Sequence, residues 1–89
     1  MPQELTTRTE RIRAALTAVF SPAELYIEDE SHLHHGHAGA APGGETHYAV
    51  KIRAAAFAGL SRLARHRAVN EALKAEFASG LHALHIDAA

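Results

Sequence analysis

Histidine is the residue whose type and spacing in this sequence could do chemistry. Four of the eight histidines lie within residues 31–44, and so do four of the six glycines. This segment has no hydrophobic period of 2 or 3.6, so the sequence predicts a flexible His/Gly-rich loop over residues 31–44. Imidazole nitrogen is the commonest protein ligand of transition metals. The candidate ligands in this loop are His32, His34, His35 and His37.

Sulfur chemistry is excluded, because the chain contains no cysteine. Disulfides, thiolate nucleophiles and a thiolate metal cage supplied by this chain alone are therefore ruled out. The spacing of His34, His35 and His37 does not match a structural zinc site. Three interpretations of the loop stay open at this point: a solvated polar tract, a histidine-based buffer for divalent metal, and half of a site to which another molecule brings the sulfur.

Composition indicates a single soluble domain over residues 1–89, with 47% hydrophobic and 21% charged residues. No apolar run is long enough to span a bilayer and none resembles a signal peptide, so we expect a cytoplasmic protein that does not bind membranes. Enzymatic activity is not expected, because the sequence has no Gly-rich phosphate loop and no recognisable nucleophile triad.

Positive charge is concentrated locally, although the formal net charge is only −1. No acidic residue occurs between Lys51 and Arg67. Such a patch could bind nucleic-acid phosphate or an acidic partner, whereas a solvated helix face is its ordinary explanation. The candidate docking residues are Lys51, Arg53, Arg62, Arg65 and Arg67.

Hydrophobic spacing predicts the elements that must position these side chains. Thr7 and Glu10 have capping-box spacing ahead of a helix whose apolar stripe includes Val19 and which reaches about Phe20. Alternating residues predict strands around Leu25–Ile27, Tyr48–Ile52 and Leu84–Ile86, the first two forming an antiparallel pair.

Between the second and third strands, the phase of the apolar residues predicts two helical pieces. A short turn over Ser61–Arg65 precedes a main helix with Val69, Leu73 and Phe77 on its apolar stripe. The order is therefore α-β-β-α-α-β, and two amphipathic helices must cover one face of a three-stranded sheet. We expect an α+β two-layer sandwich with the other sheet face open to solvent.

Five short motifs occur along the chain in a fixed order. They are Asp29-Glu30-Ser31, Gly44-Glu45-Thr46-His47-Tyr48, Phe57-Ala58-Gly59-Leu60-Ser61, Arg65-His66-Arg67-Ala68-Val69-Asn70 and Leu81-His82-Ala83-Leu84. Together they resemble the BolA family over nearly the whole chain. The resemblance implies a fold related to the class II KH domain, in agreement with the element order above.

The resemblance also implies a function in iron–sulfur metabolism and iron homeostasis. BolA-like proteins pair with monothiol glutaredoxins and share a [2Fe-2S] cluster held by glutaredoxin cysteine, glutathione and histidine of the BolA partner. The family ligand in the HAL motif falls on His82, and a second ligand comes from the loop between the first two strands. Counting back from Gly-Glu-Thr-His places His37 nearest to that position, with His34 and His35 as the alternatives.

The remaining candidates have structural interpretations. We expect His47, His66 and Gly59 to support the fold, and the free protein to be a monomer or a weak homodimer.

Some family members are described as transcriptional regulators, so DNA is the alternative partner. Against DNA binding, the turn Ala58–Ser61 contains one glycine where a KH domain carries a GXXG loop.

Overall fold

The computed structural model of this chain describes residues 7–30 and 46–89. The predicted loop over residues 31–44, with His32, His34, His35 and His37, lies outside these ranges. The account of the fold therefore concerns the helices and strands on either side of it.

Helix α1 spans Arg8–Phe20 and begins with the predicted capping box. The Glu10 N–H donates to the Thr7 hydroxyl at 3.1 Å, and the Thr7 N–H donates to the Glu10 carboxylate at 3.2 Å. The helix ends at Ser21, whose φ of +46° takes the chain out of helical geometry before Pro22. The apolar stripe is narrower than predicted: Val19 is 58% exposed, and Phe20 instead packs on the core.

The sheet contains β1 (Glu24–Asp29), β2 (His47–Arg53) and β3 (Ala83–Ala88) in the order β1-β2-β3. β1 and β2 are antiparallel, as predicted, and β3 runs parallel to β2. The predicted alternation along β2 is also confirmed, since Tyr48, Val50 and Ile52 are at most 2% exposed. A parallel pair needs a crossover connection, and the helices between β2 and β3 supply it.

This crossover differs in detail from the prediction. After a 3-10 turn at Ala55–Phe57, helix α2 runs without interruption over Arg62–Ala72, and α3 follows at Lys74–Ala78. The predicted break near Arg65 is wrong. Ser61 is the N-cap of α2 and accepts from the Ala64 N–H at 3.1 Å, and the helix then continues past Arg65 to Ala72. The helix is interrupted at Leu73 instead. Leu60 and Leu63 lie out of phase with Val69 and Leu73, which suggested the break, but both are exposed, at 39% and 59%.

The core lies between the helices and one face of the sheet, which confirms the α+β fold and its element order. Its members are Ile12, Leu16, Tyr48, Val50, Ile52, Phe57, Val69, Leu73, Leu81, Ile86 and Ala88. Phe77, predicted on this stripe, stays 37% exposed at the rim. The opposite sheet face is open, with Tyr26 67% exposed. Within the described ranges, no helix is long and apolar enough to cross a membrane.

A buried ion network joins the first helix to the end of the crossover. The Arg8 guanidinium donates to the Glu76 carboxylate at 2.7 Å and to the Ser79 hydroxyl at 2.9 Å. Arg11 donates to both oxygens of the same carboxylate at 3.1 Å. Arg8 and Glu76 are each only 8% exposed. This network fixes α3 against α1, and hydrophobic spacing gave no sign of it.

We expect Glu76→Ala to lower the free energy of unfolding by about 3 kcal/mol, because it leaves the buried Arg8 guanidinium without its carboxylate. Glu71→Ala is the matched control, since the Glu71–Lys74 pair is more than 70% exposed and its loss costs about 0.5 kcal/mol or less. Urea denaturation of both variants measures the difference. Equal stability of the two variants would show that the network does not hold the helices together.

Candidate functional site

His82 lies immediately before β3 and is exposed to solvent. Its backbone N–H donates to the Thr46 carbonyl at 2.8 Å, and the N–H of Ala83 donates to the same carbonyl at 3.1 Å. These bonds fix the backbone of His82 at the start of β2. Its backbone is therefore held at a defined place on the surface, and its imidazole is not enclosed by the core.

The ring of His82 lies beside that of His47, the first residue of β2. The two ring centroids are 6.2 Å apart and the ring planes meet at 26°. His47 is half-buried, and its Nδ1 lies 2.8 Å from the Thr46 hydroxyl oxygen. Sequence reasoning gave His47 only a structural role. The register that pairs His47 with Ala83 brings the two histidines together, and local periodicity contains no information on that register.

The residues on either side of the segment that holds the loop histidines are hydrogen-bonded next to His47 and His82. Before it, the Glu30 N–H donates to the His47 carbonyl at 2.7 Å; after it comes Thr46, whose carbonyl accepts from His82. The loop ligands predicted from the sequence, His34, His35 and His37, lie outside the described residues. Among residues 7–30 and 46–89, no group of three or more metal-ligating side chains is brought together.

Two of the candidate docking arginines are engaged within the protein. Arg65 donates from Nε to the Ala88 carbonyl at 2.7 Å and from Nη1 to the Leu60 carbonyl at 2.6 Å. Arg53 forms an ion pair with Asp87, with Nη1 and Oδ1 3.2 Å apart. The hydrogen bond from Arg53 holds the pKa of the Asp87 carboxyl below its ordinary value. Arg65 and Arg53 thus link the end of β3 to its neighbours.

The other basic candidates, Lys51, Arg62 and Arg67, are exposed. Arg62 lines a shallow groove beside the end of β3, and an acidic group, Asp87, shares that groove. The groove is lined by Arg62, Arg65, His66, His85, Ile86, Asp87, Ala88 and Ala89. His66 is half-buried in α2. The basic surface is therefore smaller than the sequence cluster, and a carboxylate interrupts it.

Gly59, another residue with a predicted structural role, lies in the turn before α2. Its φ is +78°, in the left-handed region that favours glycine. A Cβ at this position would meet no atom within 4 Å, so backbone conformation and not space accounts for the glycine. The turn sets the direction in which α2 begins.

These features define a small α+β domain with a mixed three-stranded sheet and an exposed histidine at the start of its last strand. A family model described as BolA-like protein matches residues 16–89. The chain belongs to the BolA-like family, which confirms the resemblance seen in the motifs. This family is commonly linked to iron–sulfur and iron homeostasis.

Three similar proteins illustrate the relationship. An uncharacterized protein in the cobS 5′ region of a Sinorhizobium species is 49% identical over 82 residues, which cover 91% of this chain and 88% of that protein. Chloroplastic BOLA1 of Arabidopsis thaliana is 44% identical over 81 residues, covering 89% of this chain but 51% of the relative. The solved BolA domain of SufE1 from Arabidopsis thaliana has a TM-score of 0.83 and 44% identity, covering 96% of this chain and 93% of that chain.

The internal hydrogen bonds of Arg65 predict that this residue supports the fold. Arg65→Ala should lower the free energy of unfolding by about 1 to 2 kcal/mol, because two backbone carbonyls lose a charged donor. Arg67→Ala is the matched control on the same helix, with an expected change of about 0.5 kcal/mol or less. Thermal and urea denaturation measure both variants. An Arg65→Ala protein as stable as the control would contradict this role.

Proposed function

We propose that this protein is a non-enzymatic adaptor of iron–sulfur metabolism that binds a monothiol glutaredoxin and shares a glutathione-ligated [2Fe-2S] cluster with it through histidine. The observation that carries the proposal is the position of His82. Its ring is exposed while its backbone is fixed by the hydrogen bond to Thr46. Membership of the BolA-like family supports the same function.

The donor set of this chain fits a site completed by a second molecule. Iron–sulfur clusters are held by thiolates, and histidine replaces some of them in known [2Fe-2S] centres. The chain has no cysteine, so it offers nitrogen and the partner must bring the sulfur. An imidazole binds a metal through a neutral ring nitrogen, which is the donor that this chain can contribute.

The second ligand in this proposal comes from the loop, with His37 preferred and His34 and His35 as alternatives. The preference rests on the count back from Gly-Glu-Thr-His. The chain enters and leaves this segment next to His47 and His82, because Glu30 and Thr46 both hydrogen-bond there. The segment is thus covalently attached beside the first proposed ligand.

Docking of the partner is assigned to the exposed basic residues Lys51, Arg62 and Arg67. They could attract the carboxylates of glutathione or an acidic face of the glutaredoxin. Arg53 and Arg65 remain candidates with fewer N–H donors to offer, because each is engaged internally. This division follows from the contacts described above.

DNA binding is the second candidate function, favoured by the exposed Arg62 and Arg67 on α2. The carboxylate of Asp87 in the adjoining groove would repel phosphate, and the open sheet face also carries Glu24 and Glu28. Phosphate binding makes affinity fall steeply with salt. Promoter binding at submicromolar protein concentration that weakens with salt and is lost in Arg67→Glu would favour this function over the adaptor.

The role of His82 predicts a direct result in co-expression with a monothiol glutaredoxin. We expect the wild-type chain and the His85→Ala control, which removes an exposed histidine within β3, to co-elute with glutaredoxin as a coloured complex. His82→Ala should weaken cluster binding by about tenfold or more, which corresponds to about 1.4 kcal/mol, and occupancy should fall accordingly. Visible absorbance and circular dichroism after anaerobic size exclusion measure occupancy. A colourless, separated wild-type mixture supplied with iron, sulfide and glutathione would overturn the proposal.

The two proposed ligands should differ in their effect. We expect His37→Ala to weaken the cluster-bound complex less than His82→Ala, because His34 and His35 can substitute for a ligand on the same loop. Cluster absorbance of the two variants, measured at equal protein concentration, gives the ranking. The opposite ranking would reject the assignment of His37 and His82.

A further inference from the structure

We propose that His47 and His82 together bind a single divalent transition-metal ion in the free protein, through the Nε2 atom of each ring. This site uses only described residues, needs no partner, and is distinct from the loop histidines. It does not depend on the proposed function. The two proposals share His82, however, so the ion and the cluster exclude one another at that ring.

The separation of the rings is within reach of one ion. A metal–nitrogen bond of about 2.1 Å places the ion about 3.2 Å from an imidazole centroid, so two rings on one ion have centroids about 5 to 6.5 Å apart. The observed separation between His47 and His82 is 6.2 Å. The centroid separation is therefore compatible with both rings binding the same ion.

A contact with the neighbouring hydroxyl restrains the ring of His47. Its Nδ1 lies 2.8 Å from the Thr46 hydroxyl oxygen. When Nδ1 carries the proton and donates it to that oxygen, Nε2 keeps its lone pair for a metal, which is the usual outer-shell support of a histidine ligand. Burial of Thr46, which is 4% exposed, holds the hydroxyl in place.

The ring of His82 must rotate before both rings can bind the same ion. An ion must lie in the plane of each imidazole that binds it, and the 26° between the present ring planes does not satisfy this for both rings. The exposed ring of His82 makes no hydrogen bond to any residue within the described ranges, so it can turn about its terminal torsion. Its backbone meanwhile stays attached to Thr46.

The donor chemistry selects the class of ion. Two neutral imidazoles suit Cu²⁺, Ni²⁺ and Zn²⁺, whereas Mg²⁺ and Ca²⁺ prefer oxygen. Copper should bind tightest of the three, following the general order of divalent first-row metals. Two protein ligands leave the other positions to water, so the ion remains exchangeable.

Copper titration tests the site in the full chain, in a background where His32, His34, His35 and His37 are replaced by alanine. We expect this background to bind one Cu²⁺, with two imidazole nitrogens counted by pulsed electron paramagnetic resonance. His47→Ala should lower the affinity by about tenfold, a loss of about 1.4 kcal/mol, and leave one imidazole. His85→Ala, the exposed-histidine control on β3, should change nothing. Unchanged affinity in His47→Ala, or one imidazole in the background protein, would overturn the proposal.

A second variant tests the orientation of His47 without removing a ligand. Thr46→Val keeps the shape of the side chain and removes the hydroxyl, so we expect weaker copper binding with two imidazoles still present at saturation. Circular dichroism melting checks that both variants fold. Copper binding by Thr46→Val as tight as in the background would remove Thr46 from the site.

The outcome is separable from that of the proposed function. His47→Ala in the otherwise wild-type chain should still form the coloured complex with glutaredoxin. If that complex forms while copper binding is insensitive to His47, the metal site alone is wrong. If copper binds as described and no coloured complex forms with the wild type, the adaptor function alone is wrong.

Discussion

The parallel pairing of β2 with β3 is the interaction on which the arrangement of this protein depends. One carbonyl, that of Thr46, accepts from the N–H groups of both His82 and Ala83. It thereby sets the register that runs from His47 opposite Ala83 to Ile52 opposite Ala88. A slip of one residue would exchange the faces of β3, moving Ile86 out of the core and separating His82 from His47.

A parallel register must be maintained by elements distant from it in sequence, because no tight turn joins the two strands. The crossover through α2 and α3 is secured at both ends of its path. Arg65 reaches from α2 to the carbonyl of Ala88 at the end of β3, while Glu76 ties α3 to Arg8 at the start of α1. These polar contacts position the chain that leads into Leu81 and His82. The buried ion network therefore acts on the site through the entry of β3, without touching either histidine.

Local patterns predicted the parts of this fold that depend on neighbouring residues. The capping box at Thr7 and the alternation along Tyr48–Ile52 were confirmed, because each is decided within a few positions of the chain. The break placed near Arg65 was wrong, since an exposed Leu63 looks like a change of phase when burial is not known. The family resemblance supplied His82, which no spacing rule would have singled out.

Contacts across long sequence separations were beyond prediction from one sequence. Arg8 and Glu76 lie 68 residues apart, and His47 meets His82 only after the direction and register of β3 are fixed. The spacing of charged residues and histidines along the sequence does not indicate their distant partners. The spacing of apolar residues does indicate which face of a helix or strand is buried. The same limit explains why the basic cluster was overestimated: sequence shows the arginines but not the carbonyls and carboxylate that engage two of them.

The absence of cysteine determines what the paired histidines can do chemically. An imidazole ligand alone cannot assemble an iron–sulfur centre, so this chain can take part in one only where a second molecule provides thiolate. Two imidazoles can, however, bind a soft or borderline divalent ion weakly without help. The two histidines differ in this respect, because only His82 belongs to both of the proposed sites. Under both proposals, a metal ion held by His47 and His82 in the free protein would compete with the shared cluster for His82.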